Sequence, residues 1–217
     1  MVLAGVFLST AGNAQESGLE NIKYGVKGGL TIGKLSTNFD EVVEQYFPVG
    51  VAETYTENSA VGFAVGGYVE TQIAPNLSAE LDTFIVQKNG KVEVEVPDYN
   101  FKYESDIKLT YLEIAPTIKY SVSNFYVLGG PFLAYILSAK YDETVTVSGV
   151  STSDSGDIED ISSLDYGLTF GVGMTYGKFL AEIRFDLGLK DIDDATTDNV
   201  EEEVKTRALY MMAGYTF

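Results

Sequence analysis

Between Leu164 and Lys190 the chain alternates apolar and polar positions on both sides of a two-residue break. Leu164, Tyr166, Leu168, Phe170, Val172, Met174 and Tyr176 share one face of the first arm, and Asp165, Gly167, Thr169, Gly171, Gly173 and Thr175 share the other. The second arm sets Phe179, Ala181, Ile183, Phe185, Leu187 and Leu189 against Glu182, Arg184, Asp186, Gly188 and Lys190. A period of two belongs to extended strands, and Gly177-Lys178 suits a tight hairpin turn with Gly at its first central position.

The choice of face decides the environment. In a soluble sandwich the apolar face packs inward, and a glycine-rich face in water gains nothing. With the faces reversed, large apolar side chains meet lipid while small or charged ones fill a narrow lumen. Transmembrane barrels show this apolar-out, polar-in dyad over segments of about ten residues.

Using the hairpin as a template, six further strands follow. The first, Ile22 to Leu35, sets Ile22, Tyr24, Val26, Leu30 and Ile32 against Lys23, Gly25, Lys27, Gly29, Thr31 and Gly33. Ala60 to Gln72 sets Val61, Phe63, Val65 and Val69 against Gly62, Ala64, Gly66 and Glu70, and Leu77 to Lys88 sets Leu77, Ala79, Leu81 and Ile85 against Ser78, Glu80 and Asp82. The fourth, Ile107 to Ser121, carries Leu112, Ile114, Ile118 and Tyr120 opposite Tyr111, Glu113, Thr117 and Lys119, and its Pro116 predicts a bulge or local distortion. The fifth, Phe125 to Asp142, is apolar throughout and its facing stays open. The template hairpin supplies the sixth and seventh, and Lys205 to Phe217 the eighth.

Connections after the second, fourth and sixth strands are tiny, whereas those after the first, third, fifth and seventh are long and acidic. The predicted fold is therefore all-β: an eight-stranded antiparallel up-and-down transmembrane β-barrel with short periplasmic turns, long acidic extracellular loops and both termini periplasmic. Tyr24, Tyr120, Phe125, Tyr126, Tyr176, Phe179, Tyr215 and Phe217 gather beside the short turns or the termini, as an aromatic girdle at that interface requires. Phe84, Tyr135, Tyr141 and Tyr166 are candidates for the opposite girdle.

Residues 1–14, MVLAGVFLSTAGNA, read as the apolar region of a signal peptide without its usual basic start, and 15–21 as a short periplasmic lead into a barrel spanning 22–217. Export to the bacterial outer membrane follows. Cysteine and histidine are both absent, which removes thiolate chemistry, a lipoprotein anchor, and the commonest catalytic base and metal ligand. The residues thus predict no enzyme, no cofactor and no dedicated metal centre.

The long connections, taken as residues 36–59, 89–106, 141–163 and 191–204, hold 23 acidic and 2 basic residues, a net −21 against −18 for the whole chain. The acidity belongs to the outer loops. Lipopolysaccharide phosphates would repel them unless divalent cations bridge the two, so calcium or magnesium association is an expectation of the composition. The densest run, Asp191, Asp193, Asp194, Asp198, Glu201, Glu202 and Glu203, lacks the spacing of an EF-hand loop. Inside, alternation directs Lys23, Lys27, Glu70, Glu80, Asp82, Glu113, Lys119, Glu182, Arg184 and Asp186 into a lumen barely wide enough for its own side chains, where they must pair. Arg184 is the expected hub.

Several motifs carry a family resemblance. They are Tyr111-Leu112-Glu113-Ile114 with Lys119-Tyr120, the run Gly130 to Lys140, Glu182-Ile183-Arg184-Phe185 with Gly188-Leu189, and the end Leu209 to Phe217. In these the chain resembles the PorT-type outer-membrane β-barrels of Gram-negative bacteria of the Bacteroides group. Ala115-Pro116-Thr117 departs from the apolar continuation usual there. The resemblance implies the barrel fold and a terminal Phe217 that acts as the signal read by the outer-membrane assembly machinery. It also implies an accessory role in secretion for the namesake alone.

The leading expectation is a non-enzymatic outer-membrane barrel. It would serve as an accessory or interaction subunit of a secretion, assembly or uptake complex, or stabilise the envelope. Its partners would be lipid, lipopolysaccharide and a protein, with no nucleic acid. A small pore or ion pathway is the alternative, and a soluble lipocalin-like carrier a further one that leaves the acidic loops unexplained.

Overall fold

The computed structural model describes residues 22–37, 54–158, 161–192 and 204–217. The expected signal segment and N-terminal lead, and most of the acidic runs at 38–53 and 193–203, lie outside them. Nine strands are present among the described residues: β1 (Ile22–Thr37), β2 (Thr54–Ala74), β3 (Leu77–Val96), β4 (Phe101–Val122), β5 (Phe125–Val147), β6 (Val150–Asp157), β7 (Leu164–Tyr176), β8 (Phe179–Gly188) and β9 (Val204–Thr216). All pairings are antiparallel. The order β4-β3-β2-β1-β9-β8-β7-β5 closes through β4–β5, giving a ring of eight, and β6 pairs with β5 alone in the described sheet.

The alternation sets the faces. Lipid-type residues such as Val65, Ile118, Phe170, Val172, Ile183 and Met211 are exposed on the outer wall, while Lys27, Glu80, Asp82, Glu113, Glu182, Arg184 and Asp186 are buried inside. The fifth strand, whose facing the sequence leaves open, turns Tyr126, Leu128, Phe132, Ala134 and Ala139 inward and Val127, Leu133, Tyr135 and Leu137 outward. It reads as apolar throughout because none of its buried inward positions is charged, the buried lumenal charges standing on β1 to β4, β7 and β8.

Glycines on the inner face let strands approach closely. A Cβ on Gly29 would lie 2.0 Å from the backbone oxygen of Met211 on β9. Gly29→Val should therefore force the β1–β9 seam apart and cost about 1–3 kcal/mol, the usual range for overpacking. Urea unfolding in detergent micelles reads this, and an unchanged midpoint would mean that the seam is looser than described.

Two expectations about the connections need correcting. Residues 89–106 are not a long loop: β3 and β4 stay in register to Val96↔Phe101, leaving only Pro97–Asn100 as a turn. Residues 141–163 likewise continue β5 to Val147 and return as β6 after a turn in which Gly149 takes φ +82°. The reason is an inversion of polarity. Along β4, outward positions are Leu112, Ile114, Ile118 and Tyr120 near the short turns, but Lys102, Glu104, Asp106 and Lys108 at the far end. The inner face inverts too, from Glu113, Thr117 and Lys119 to Phe101, Tyr103, Ile107 and Leu109. The stretch from Leu112 to Tyr120 matches the roughly 9–11 residues a strand needs to cross a bilayer. Beyond it the ladder continues into water as a ribbon with charges outside and a part-apolar inner surface.

At Pro116 the expected irregularity is a local distortion of the ladder and not a bulge. The proline pairs in register with Leu81, and the β4–β5 register is the same on both sides of it, with the ladder interrupted between Ile114↔Leu133 and Ile118↔Gly129. The register shift of that strand pair lies at Thr110/Tyr111. A proline without an N–H removes ladder bonds there without adding a residue.

Candidate functional site

Three chemical zones follow one another up the lumen. Nearest the short turns lies a charged tier. Lys27 Nζ sits 2.5 Å from Glu80 Oε1, 2.9 Å from Asp82 Oδ1 and 3.1 Å from Glu182 Oε2. Arg184 Nη2 lies 2.7 Å from both Asp82 Oδ2 and Glu182 Oε1, and its Nε donates to Glu182 Oε1 at 2.9 Å. Lys119 bridges Glu70 at 2.9 Å and Glu80 at 3.0 Å. Tyr126 donates to Glu182 at 2.8 Å, and its ring carries Lys119 at 4.1 Å. Lys23 is at the open rim, its side chain 66% exposed and 4.0 Å from Glu70. Three buried cations thus face four buried carboxylates, with Lys23 at the edge.

The second tier is smaller and less balanced. Lys88 Nζ lies 2.8 Å from Glu113 Oε2, 3.2 Å from Asp186 Oδ2 and 3.9 Å from the centre of the Phe132 ring. Tyr210 donates to Asp186 at 2.6 Å and lies 3.2 Å from Glu113 Oε2. Thr206 donates to Asp165 at 2.6 Å. Above it comes an apolar mouth, where Leu35, Leu109, Ile107, Ile158, Ile161, Ile192 and Val204 surround a cavity of about 150 Å³. The segments bearing Ile158, Ser162 and Ile192 are tied down by backbone bonds from Ile158 to Ala139 (3.0 Å), Ser162 to Ile192 and Ile192 to Val204 (2.9 Å each), and Lys190 bonds the Ser162 hydroxyl.

Of the residues read as lumenal, all but Lys23 are buried, in two groups. The set read as lumenal leaves out Lys88, Asp165, Tyr111 and Tyr210, of which Asp165 and Tyr111 already stood on the inward face by alternation. Lys88 shares the parity of Glu80 and Asp82, and Asp165 stands on the glycine face of its strand, so both were available from the pattern. Two aromatic assignments are overturned. Tyr126 does not belong to the girdle: it is 3% exposed and faces the lumen, because its hydroxyl finds Glu182 there. Phe84 is fully buried, its ring 5.3 Å from the Arg184 guanidinium, and is no upper-girdle residue. Tyr141 belongs to the ribbon, 3.4 Å from Asp154. Tyr24, Tyr120, Phe125, Tyr176, Phe179 and Phe217 stand exposed at the short-turn end, and Tyr215 packs edge-on against Phe179 and Phe217.

Above the bilayer band the ribbon has its own polar ladder. Lys102 contacts Glu93 at 2.8 Å and Glu104 at 3.3 Å, and Lys91 contacts Glu104 at 3.0 Å. Hydrogen bonds from Lys91 and Lys102 hold the Glu104 carboxyl below its usual range. On the inner face Tyr103 donates to Glu143 at 2.6 Å, and burial together with that carboxylate pushes its phenol up to about 12. The phenol ionises near 10 in an unfolded chain. The contact is therefore fully present below about pH 10 and lost as pH rises through about 12. The difference in phenolate absorbance between the native protein and Tyr103→Phe should titrate near the upper value, and a midpoint near 10 would contradict the buried placement.

A closed β-ring with an apolar outer band, an ion-paired interior and a charged ribbon beyond the band defines a transmembrane β-barrel. Residues 13–194 match the outer membrane protein beta-barrel domain family. The chain belongs to that family, and its place is the outer membrane. No curated protein sequence matches it. Among solved structures, the chain is similar to Ail, the attachment invasion locus protein of Yersinia pestis, in complex with the heparin analogue sucrose octasulfate (14% identity, 91% of this chain and 99% of that one, TM-score 0.42). It is also similar to OprG of Pseudomonas aeruginosa (13% identity, 90% and 95%, TM-score 0.39) and to the outer membrane protease OmpT of Escherichia coli (11% identity, 91% and 97%, TM-score 0.34). At such distances no residue role transfers.

Proposed function

We propose that this chain is a non-enzymatic, PorT-type barrel that serves as an interaction subunit of an envelope complex. Its short-turn end and termini would lie in the periplasm and its ribbon outside the cell. The observation that carries the reading is the contrast between the two ends. The described lumen is filled by paired charges beneath an apolar mouth, whereas β2 to β6 extend past the bilayer band as a five-stranded sheet with a charged outer face. Such a ribbon offers contact area that lipid anchoring does not require. Divalent cations would bridge its acidic surface to lipopolysaccharide, and Phe217 would serve in assembly.

The test is native co-purification from mildly solubilised outer membranes, comparing the intact protein with a variant in which Thr144–Ser153 is replaced by Asn-Gly. Heat-modifiability on gels confirms that both barrels are folded. Loss of a stoichiometric partner from the shortened variant supports the reading; a folded barrel without a partner in either sample overturns it.

A second reading, an ion pathway, draws on one observation: among the described residues seven buried carboxyl groups face four buried cations. Steady conductance in planar bilayers, absent after Arg184→Lys, would favour it over the subunit reading.

A further inference from the structure

Above the lipid band the outer wall carries its charge unevenly. On the ribbon, rows of like charge alternate with rows of the opposite sign. Lys108 and Lys140 are direct cross-strand partners, but Asp106 pairs with Asp142 in the next outward row, Lys140 also faces Asp157, and Lys108 contacts Asp142. Glu93 and Glu104 are partners too, and Lys91 and Lys102 hold them. The β1–β9 seam is different. There Lys34 pairs directly with Arg207, and Lys205 stands opposite Ser36 in the row above. All three point outward, since Gly33, Leu35, Thr206 and Ala208 beside them in the chain are buried. The row below, Ile32 with Leu209, is apolar, and Leu187 flanks Arg207 on β8. Asp191 approaches this rim, its carboxylate accepting a bond from the Val204 N–H at 2.9 Å. Lys34 and Lys205 have further interactions of their own, whereas Arg207 is exposed and no carboxylate among the described residues is paired with it.

Side chains directly opposed across two strands have Cβ atoms about 4.5–5.5 Å apart, and like charges placed there are destabilising. Lys34 and Arg207 are therefore close enough for one tetrahedral anion to meet both head groups, with Lys205 two residues along the same face. An anion seated there turns repulsion into attraction. Its height on the wall is set by the strands. Tyr24 to Ile32 on β1 and Leu209 to Phe217 on β9 each match the roughly 9–11 residues a strand needs to cross a bilayer, so the three cations begin where the hydrocarbon ends. The planar fork of arginine suits phosphate, and lysine adds a compact charge beside it. We infer that the outward β1–β9 seam binds a phosphate group of lipopolysaccharide directly, Arg207 and Lys34 on the phosphate, Lys205 beside them, and acyl chains along Ile32 and Leu209. In a chain of net charge −18 this seam is a place where the lipid needs no bridging cation. The leaflet rests on the proposed orientation, with the ribbon outside the cell; the contact itself does not depend on the ribbon having a partner.

The probe is bisphosphorylated lipid A, with its dephosphorylated form for comparison, added to the full chain refolded in detergent micelles that contain EDTA. Native mass spectrometry reads the fraction of protein that carries lipid. Micelles leave both rims accessible, so the result does not depend on which rim faces outward, and failure here leaves the co-purification test of the ribbon intact. The native protein should keep bisphosphorylated lipid A in EDTA and prefer it by about tenfold or more, the worth of one charge-assisted contact. Arg207→Gln/Lys34→Gln should lose that preference and Arg207→Lys should keep part of it. Lys178→Gln, which removes one exposed charge at the short-turn end, should keep all of it. Heat-modifiability confirms that each barrel is folded. Binding that vanishes on chelation would assign the lipid to cation bridges on the acidic ribbon and overturn the inference. An equal preference in the native protein and the Arg207→Gln/Lys34→Gln variant, or no preference for the phosphorylated form, overturns it too. Displacement by inorganic phosphate at equal concentration would mean that the seam takes a free anion and not the lipid, which also contradicts it.

Discussion

Arg184→Leu should be the most damaging single substitution in the barrel, costing about 3–5 kcal/mol, the range for removing one partner of a buried ion pair. The guanidinium has no exposure and stands between Asp82 and Glu182, 2.7 Å from each, with Glu80 at 3.8 Å. Once it is gone, Lys27 is left to face three fully buried carboxylates within 3.1 Å. Leucine fills part of the volume but meets none of these oxygens. The double variant Arg184→Leu/Glu182→Leu should recover part of the loss, because it removes a carboxylate along with its cation. Recovery will be incomplete, since the Tyr126 hydroxyl then loses its acceptor. Urea unfolding followed by heat-modifiability measures all three proteins. A single variant as stable as the native chain would mean that the lumen is wet enough to solvate Asp82 and Glu182.

Phe170→Arg should destabilise the folded barrel in a bilayer by about 2–4 kcal/mol, the cost of arginine near the midplane of the lipid face. Phe170 lies midway along β7 on the outer wall and is 52% exposed. Asp106→Arg, on the outward face of β4 beyond the polarity inversion, should change stability little because that position meets water. The pair separates a lipid-facing band from a merely exposed apolar surface. Equal, small effects at both sites in lipid vesicles would remove the membrane reading of the outer wall.

The barrel was legible because its inner and outer faces differ at nearly every second residue over the bilayer-crossing length. Leu164 to Leu189 alone contains the strand period, the turn and three of the seven buried lumenal carboxylates. The ribbon escaped for a physical reason. In Lys91-Val92-Glu93-Val94-Glu95-Val96 the period of two persists, but the charges point outward and the valines inward, the reverse of the pattern below. Reading charge as loop discards that alternation. The division of the lumen into tiers escaped as well, since alternation gives a face but not a height. Which acid meets Lys27 and which meets Lys88 depends on strand stagger, and only the register supplies that. Tyr126 shows the same limit from the other side: an aromatic residue beside a short turn has two faces to choose from, and a buried Glu182 decided it.

The central claim, a bilayer band ending where the faces of β4 exchange polarity, is tested most directly by spin-label accessibility along that strand. The chain has no cysteine, so each introduced cysteine carries the only label. Labels at positions 112, 114, 118 and 120 in lipid vesicles should be relaxed by oxygen and shielded from a water-soluble nickel complex. Labels at 102, 104, 106 and 108 should show the opposite. Nickel access that is uniform along the outward positions would contradict the account.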